Sequence, residues 1–407
     1  MSNSEMKKIL VLGAMMMHVP LLIRAKERGL YVLTCDYLPT NIGHSYADEA
    51  YYDSTTDVEA VSLLAQKTHV DAVLTFNSDP AALTAAYVSE KLGLPSSSYE
   101  AVRIMSEKDL LRNFLLKHNF NVPKFRTYRS ISELKEEIDI FTFPILIKPV
   151  DSSGSKGVTK LDDVDALDEI FNRAMSFSRC KRVIVEEYIE PFGAQLHGDG
   201  FVADGKIQFI YLGDHHFDAS INNLVPFSTT FPSQHSQLEI TMVEQEVQRF
   251  ISLIGFQGGG INVEARISAR DGKVYLIEVG PRNGGNFTPI IIQYASGFNF
   301  IDATLDHVLG IDFKKQNINK NGFFAYLIAH SDKEGLLESV DIDPILQKRI
   351  INRFDYAQYG ERVFSFKGAN SAVSVLLVHF SSQDEMNDLV NNFSQYCTVR
   401  LIPEINN

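Results

Sequence analysis

The chain has 407 residues, of which 45% are hydrophobic and 22% charged, and its net charge is -13 at pH 7. This length accommodates two or three domains. The excess of acidic residues argues against a protein that binds nucleic acid or an anionic membrane, because both kinds of binding need a basic surface. Cys35, Cys180 and Cys397 lie far apart and are odd in number. We therefore expect no disulfide framework, no cysteine metal site and a reducing, cytoplasmic compartment.

The first hundred residues alternate apolar strand-like segments with helical ones. Such alternation indicates a parallel sheet covered on both faces, that is, a Rossmann-like α/β domain expected over residues 1–103. The full dinucleotide-binding glycine fingerprint does not follow the first strand, so no NAD site is predicted. Strands are predicted at 7–13, 30–36 and 71–76, and helices at about 18–28, 57–68 and 80–91.

The N-terminal segment has a second interpretation. Lys7 and Lys8 precede an apolar run, as they would in a secretory signal. Gly13, His18 and Pro20 interrupt that run, and no small-residue cleavage site follows. We therefore favour a strand, a loop and a helix here, and no transmembrane helix is predicted.

Short strands dominate after about residue 120. The α+β pattern predicts a small β-rich lid lobe at about 120–190, inside a domain that spans 104–312. A small C-terminal α+β domain is expected over 313–407. The predicted elements are strands at 125–129, 143–150, 181–189 and 200–213, helices at about 163–175 and 238–254, and a hairpin at 260–279.

A lysine and a loop rich in glycine and serine form the first candidate nucleotide site. Lys148 lies inside the apolar strand 143–150, where an unpaired charge is costly, and a bound nucleotide would supply its partner. The backbone N–H groups of the loop 152–157 can surround phosphates, and Lys156 adds a positive charge. The alternative is an exposed edge strand followed by an ordinary mobile loop.

A second candidate is the strand that ends in Glu186, Glu187, Tyr188 and Ile189. The backbone of such an extended segment can bind adenine, with a nearby acid or amide for the ribose. The alternative is a strand that simply ends at the surface.

The hairpin at 260–279 carries two acidic side chains, Glu264 and Glu278. With a three-residue turn at 270–272, these two glutamates face each other across the strand pair. Like charges in that position destabilise a sheet, whereas a divalent cation between them would be held by oxygen ligands of the kind Mg²⁺ prefers. The alternative is a solvated acidic face, which fits Glu278 poorly because it lies in an apolar run.

Arg282 follows four residues after Glu278, in a glycine-rich loop. A guanidinium beside two metal-binding carboxylates can hold a transferring phosphoryl group. Gly284 and Gly285 would let a substrate approach the backbone closely. The alternative is a plain surface loop.

In this order, the motifs resemble the ATP-grasp superfamily. The resemblance covers about residues 7–310 and includes the segments 71–83 and 91–95 of the Rossmann-like domain. The small C-terminal segment is similar to that of L-amino-acid ligases, which points to the carboxylate–amine ligase branch. The resemblance implies an ATP-grasp fold and an enzyme that uses ATP and Mg²⁺, with Mn²⁺ as an alternative cation.

The resemblance also implies roles for individual residues. Glu264 and Glu278 would hold the metal, and Arg282 would face the γ-phosphate and an acyl phosphate. Two positions depart from the family pattern, because Gln195 replaces a ribose-binding Glu and Gly280 stands where many members have a metal-binding Asn. The nucleotide would be contacted by Lys108, Lys148, Ser153, Gly154, Ser155, Lys156, Gly157, Glu186, Glu187, Tyr188, Ile189 and Gln195.

The implied reaction activates a carboxylate with ATP and passes it to an amine, releasing ADP and phosphate. Its partners would be small-molecule carboxylate and amine substrates such as amino acids, without nucleic acid or membrane, in a monomer or a homodimer. Two alternatives stay open: a purine-biosynthesis or carbamoyl-phosphate-synthase-like ligase, and a non-catalytic ATP-binding module. His215, His216 and a loop from Asp218 to Ser236 are expected to border the substrate pocket.

Overall fold

The computed structural model of the chain describes residues 6–218, 221–368 and 371–403. Its N-terminal part is a parallel sheet with the strand order β3-β2-β1-β4. Alternate residues of β1 belong to two different apolar clusters, so both faces of this sheet are covered, as predicted. The elements are β1 (Lys8–Leu12), α1 (Val19–Glu27), β2 (Tyr31–Cys35), β3 (Glu49–Tyr51), α2 (Val58–Thr68), β4 (Ala72–Leu74), α3 (Asp79–Leu92) and α4 (Tyr99–Ser106).

The predicted lid lobe is an antiparallel sheet with the order β5-β8-β6-β7. It has an apolar core of its own, in which Leu134 and Phe171 are buried. Its elements, after helix α5 (Lys108–Lys117), are β5 (Phe125–Tyr128), α6 (Ile131–Glu137), β6 (Ile145–Pro149), β7 (Thr159–Leu161), α7 (Leu167–Phe177) and β8 (Val183–Glu187).

The central sheet has eight antiparallel strands. The segment 200–213 was expected to be one strand, but it divides into two strands, because Asp204 and Gly205 both adopt left-handed backbone conformations and make a tight turn. Ser236 begins the long helix with a reciprocal capping box to Glu239. The elements are β9 (Leu196–Ala203), β10 (Lys206–Asp218), β11 (Asn222–Phe231), α8 (Gln237–Ile254), β12 (Gly259–Ile267), β13 (Val274–Gly280), α9 (Thr288–Ser296) and α10 (Phe300–Val308).

The C-terminal segment continues the same sheet. Its first strand pairs with β11, so the order is β13-β12-β9-β10-β11-β14-β18-β16, and the sheet has no break near residue 312. A second, three-stranded sheet has the order β17-β15-β19. Among the described residues, no helix is long and apolar enough to cross a membrane. The elements are β14 (Phe323–Ala329), β15 (Gly335–Ile342), α11 (Pro344–Gln347), β16 (Ile350–Asp355), β17 (Arg362–Val363), β18 (Ser374–Phe380), α12 (Gln383–Asn391), α13 (Phe393–Tyr396) and β19 (Cys397–Leu401).

Candidate active site

The two predicted metal ligands face each other. Glu264 on β12 pairs directly with Glu278 on β13, which confirms the predicted opposition. The expected three-residue turn is wrong, however, because the Ser268 N–H donates to the Lys273 carbonyl at 2.9 Å and leaves residues 269–272 in the connection. A bulge between Glu264 and Ala265 shifts the register by one residue, and this shift brings the two glutamates opposite each other.

The environment of this pair favours a bound cation. The side chains of Glu264 and Glu278 are 29% and 27% exposed. Burial opposes ionisation of Glu264, but His215, whose Nε2 lies 3.9 Å from Oε1, outweighs it and the pKa falls to about 2. Burial raises the pKa of Glu278. The positive charge of Lys108 acts against this increase, and the negative charge of Glu264 adds to it. A cation between the carboxylates would remove that repulsion.

The carboxylate pair does not form a complete metal site by itself. Within residues 6–218, 221–368 and 371–403, no three His, Cys, Asp or Glu side chains are grouped so that they could hold a metal ion. Two carboxylate side chains suit Mg²⁺ if phosphate oxygens and water supply the remaining ligands. The site therefore fits a cation that arrives with a nucleotide.

Arg282 lies beside the pair and is held by a residue of α3. Its Nη2 is 2.7 Å from Oδ2 of Asp79, the first residue of α3, and 3.7 Å from Oε1 of Glu278. Burial opposes the charge of Arg282, yet Asp79 and Glu278 outweigh it and raise its pKa. The Asn283 N–H also donates to the Phe76 carbonyl at 3.0 Å. The end of β4 and the loop after β13 are therefore joined at this point.

Lys148 has a protein partner. It was expected to need a nucleotide to balance its charge, but its Nζ lies 2.6 Å from Oε2 of Glu186 on the neighbouring strand. Arg112 of α5 donates to the other oxygen of Glu186 at 2.8 Å and to the carbonyls of Leu276 and Ile277. Burial opposes ionisation of Glu186, but the two cations outweigh it and lower its pKa to about 2.

The glycine- and serine-rich loop contacts both helix α5 and strand β11. The ammonium of Lys108 donates to the Ser152 carbonyl at 2.6 Å, and the Ser155 hydroxyl donates to the Leu224 carbonyl of β11 at 2.9 Å. Gly154, Ser155 and Gly157 have left-handed backbone conformations. A Cβ atom at Gly157 would lie 2.9 Å from Pro149 and Phe177. Close packing, as well as the backbone conformation, therefore requires glycine at this position.

The chain is similar to known proteins in sequence and in fold. The sequence profile of the ATP-grasp domain matches residues 141–290, which include the loop, the facing glutamates and Arg282. Residues 141–290 form an ATP-grasp domain. The chain is 22% identical over 295 residues to the carbamoyl phosphate synthase large chain of Thermoanaerobacter pseudethanolicus. That match covers 71% of this chain and 27% of the relative, so the chain spans about a quarter of the length of such relatives.

Solved structures share the fold over almost the whole chain. An L-amino acid ligase from Bacillus licheniformis superposes with a TM-score of 0.81 at 18% identity, covering 98% of this chain and 99% of that one. An N5-carboxyaminoimidazole synthetase from Staphylococcus aureus, complexed with ADP, superposes with a TM-score of 0.74 at 17% identity, covering 94% and 95%. At these identities the likeness establishes the ATP-grasp fold, which confirms the predicted fold class.

Within the ATP-grasp domain, the predicted adenine-binding segment has side chains that are already engaged. The N–H of Thr142 donates to the Glu187 carboxylate at 2.9 Å. The Tyr188 ring lies 4.7 Å from both Lys160 and Arg266, and Arg266 donates to the Ile189 carbonyl at 2.7 Å. These contacts hold the segment in place, so contacts to a base would fall to its backbone.

Gln195 bridges two parts of the candidate site. Its side-chain Nε2 donates to Glu264 at 2.9 Å, and its Oε1 accepts from Arg266 at 2.7 Å. A carboxylate at this position would face Glu264 with a like charge. The neutral amide therefore suits this chain, and its two polar atoms connect Glu264 to Arg266, which in turn holds the predicted adenine-binding segment.

His215 and His216, which were predicted to border the substrate pocket, lie on strand β10 of the central sheet. His215 stacks on His197 with ring centroids 4.1 Å apart and bonds to Thr229 at 2.8 Å. Burial lowers the pKa of His216 to about 4, with the charge of His215 adding to the effect. The predicted loop from Asp218 to Ser236 is wrong over most of its length, because β11 occupies Asn222–Phe231, and residues 219–220 lie outside the described residues.

Two functional candidates were missed from the sequence. Arg112 follows Lys108 by four residues on α5, a spacing that places both on one helix face, so the signal was present. Asp79 lies in the segment 71–83 that resembles the family, but its contact with Arg282 spans 203 residues. No local pattern predicts such a contact.

Proposed function

We propose that the protein is an ATP-dependent ligase that forms ADP and joins a carboxylate to an amine, with an amino acid or a related metabolite as the carboxylate. The observation that carries this proposal is the grouping of Glu264, Glu278 and Arg282 as direct neighbours. Lys108 connects this group to the loop 152–157, because its charge lowers the pKa of Glu278 and its ammonium donates to the Ser152 carbonyl. This set has two carboxylates for a cation and several cations for phosphate, and it lacks an evident nucleophile.

Each residue has a defined task in this proposal. Glu264 and Glu278 would hold Mg²⁺, or Mn²⁺ in its place, and that cation neutralises phosphate charge when it is bound. Lys108, Lys148 and the N–H groups of the loop 152–157 would bind phosphates, and the segment 186–189 would orient the base. Arg282 would hold the phosphoryl group in transfer, because its Nε has no hydrogen-bond partner among the described residues.

The proposed reaction has two steps. A carboxylate oxygen attacks the γ-phosphorus of ATP, and ADP leaves with the electrons of the broken P–O bond. The amine nitrogen then attacks the carbonyl carbon of the acyl phosphate, loses a proton and expels phosphate. Catalysis rests on positioning and on stabilisation of negative charge, as expected for phosphoryl transfer.

A panel assay tests this function directly. ADP release is measured by a coupled assay with pairs of amino acids, one-carbon carboxylates and amines. We expect release that depends on both a carboxylate and an acceptor. ADP release with one-carbon carboxylates alone would favour the alternative function, a carbamoyl-phosphate-synthase-like ligase. Formation of AMP and pyrophosphate would contradict the acyl-phosphate route.

Gly280 motivates one second candidate, a non-catalytic ATP-binding module. Glycine removes the amide oxygen that many family members place here, so one metal position would be held more weakly. Mg²⁺ readily keeps water in place of a missing ligand, and we therefore expect activity that rises with Mg²⁺ beyond the level that saturates ATP. ATP binding without ADP release at any Mg²⁺ concentration would favour the binding module.

A further inference from the structure

Arg282 depends on one fixed contact from the other domain. Its side chain is 9% exposed and forms a 2.7 Å ion pair with Asp79. The nearest oxygen of Glu278 is 3.7 Å away, beyond hydrogen-bonding distance. The one other hydrogen bond of this guanidinium among the described residues runs from Nη1 to the neighbouring Asn283 carbonyl at 3.2 Å. Asp79 is therefore the group that determines where the guanidinium points.

The position of Asp79 is itself well defined. It is the first residue of α3, a helix of 14 residues, and Pro80 follows it. Asp is favoured in the first turn of a helix, and Pro is preorganised there. The hydrogen bond between Asn283 and Phe76 joins the chain just before α3 to the loop that carries Arg282. The ion pair thus connects two rigid elements.

Because Gly280 has no side chain, the side chains of Asp79 and Arg282 have room to meet beside it. A Cβ built on Gly280 would lie 3.3 Å from Oδ1 of Asp79 and 3.4 Å from Cζ of Arg282. That alone is a tight contact, and an Asn side chain would place three more heavy atoms in the same direction. No left-handed backbone requires glycine at this position, since Gly280 is not among the residues with positive φ. Its smallness serves the ion pair.

The unpaired Nε of Arg282 indicates what this arrangement is for. It is buried and has no hydrogen-bond partner among the described residues, so an acceptor is missing on that side. An oxyanion is the ligand that a guanidinium beside two carboxylates and a cation would bind. Because Nη2 is already engaged by Asp79, the ion pair leaves Nε available to such a ligand.

We infer that Asp79 is a positioning residue that orients Arg282 toward the transferring phosphoryl group, and that Gly280 replaces a larger residue to admit it. This inference rests on the phosphoryl-transfer step of the proposed function and not on the identity of the carboxylate or the amine. The site thereby requires both domains, because the N-terminal domain supplies the acid that holds an arginine of the ATP-grasp domain.

A binding experiment tests the role of Asp79 without any substrate. The probe is MgADP with aluminium fluoride, which mimics the phosphoryl group in transfer, and MgADP alone is the reference. We expect Asp79→Ala to weaken the aluminium fluoride complex about tenfold, the value of one oriented charged contact, while leaving the affinity for MgADP unchanged. Asp71→Ala is the matched control, because Asp71 pairs with Lys7 in the same domain, away from the cleft.

A double substitution tests the link to Gly280. Gly280→Asn should weaken the aluminium fluoride complex in the wild-type background and have a much smaller effect when Asp79 is already Ala, since the contact is then gone. Equal losses in both backgrounds would overturn the link. Aluminium fluoride binding by Asp79→Ala that equals the wild type would overturn the positioning role. Thermal unfolding of each variant shows whether the fold is intact.

The outcomes for the two proposals are distinguishable. If no carboxylate and amine pair releases ADP but the aluminium fluoride results hold, the ligase proposal fails and the inference about Asp79 stands. If an active pair is found, Asp79→Ala should lower kcat with little change in KM for ATP. A fall in MgADP affinity that parallels the fall in kcat would show a general structural role and overturn the inference.

Discussion

Replacing Glu186 with Gln tests the buried charge cluster most sharply. The side chains of Arg112, Glu186 and Lys148 are only 2%, 2% and 7% exposed. Removing the carboxylate leaves two cations side by side in the protein interior. Breaking a buried pair in this way costs about 3–5 kcal/mol. The fall in the pKa of Glu186 from 4.5 to about 2 gives a similar value of about 3 kcal/mol.

The expected loss is large enough to measure by thermal unfolding. For a domain of about 150–250 residues, each kcal/mol lowers the unfolding midpoint by about 2–4 °C, so the midpoint of Glu186→Gln should fall by about 10 °C. Glu187→Gln is the matched control, because Glu187 is the next residue and is half-buried. The Gln side chain can still accept from the Thr142 N–H, so the free energy of unfolding should change by no more than about 1 kcal/mol. Midpoints of Glu186→Gln and the wild type within 2 °C would refute the reasoning.

The same variant shows whether phosphates approach Lys148. Glu186→Gln leaves its ammonium without a carboxylate, so phosphate oxygens of MgADP would become its only anionic partner there. We therefore expect MgADP to raise the unfolding midpoint of the variant more than that of the wild type. An equal rise in both proteins would place the nucleotide phosphates away from Lys148.

Three further predictions concern the metal carboxylates, the lid lobe and a buried histidine near the N-terminus. Glu278→Gln should lower turnover by about a hundredfold or more while keeping the wild-type unfolding midpoint, because phosphate charge is then poorly neutralised; wild-type turnover would remove Glu278 from the site. MgATP should protect the loop 151–158 from trypsin, which cleaves after Lys156, because the lid lobe closes over the nucleotide; equal cleavage with and without MgATP would count against a moving lid. Burial lowers the pKa of His18 to about 4, so the unfolded chain binds a proton first, and stability is lost as pH falls from 6.5 toward 4. His18→Leu should remove about 2 kcal/mol of the stability difference between pH 7 and pH 5 in urea unfolding, and an unchanged difference would show that His18 is not its source.

Much of the local structure could be read from the sequence because it depends on local patterns. The strands and helices of the N-terminal domain follow apolar periodicity and end signals, such as the left-handed Gly93 after α3. The opposition of Glu264 and Glu278 followed from counting residues across a hairpin. The count gave the right pair with the wrong turn, because a bulge has no sequence signal strong enough to predict.

The sequence by itself determined which residue types could serve the site and which strands carry them. Only the tertiary structure decided how their charges are paired. Lys148 meets Glu186 across 38 residues, and Arg282 meets Asp79 across 203 residues. The first contact depends on the pairing of β6 with β8, and the second on the packing of α3 against the loop after β13. The energies of both depend on burial, which no local pattern specifies. The same holds for Gly280. The sequence indicates only that a metal ligand is missing at this position, whereas the structure places Asp79 beside it.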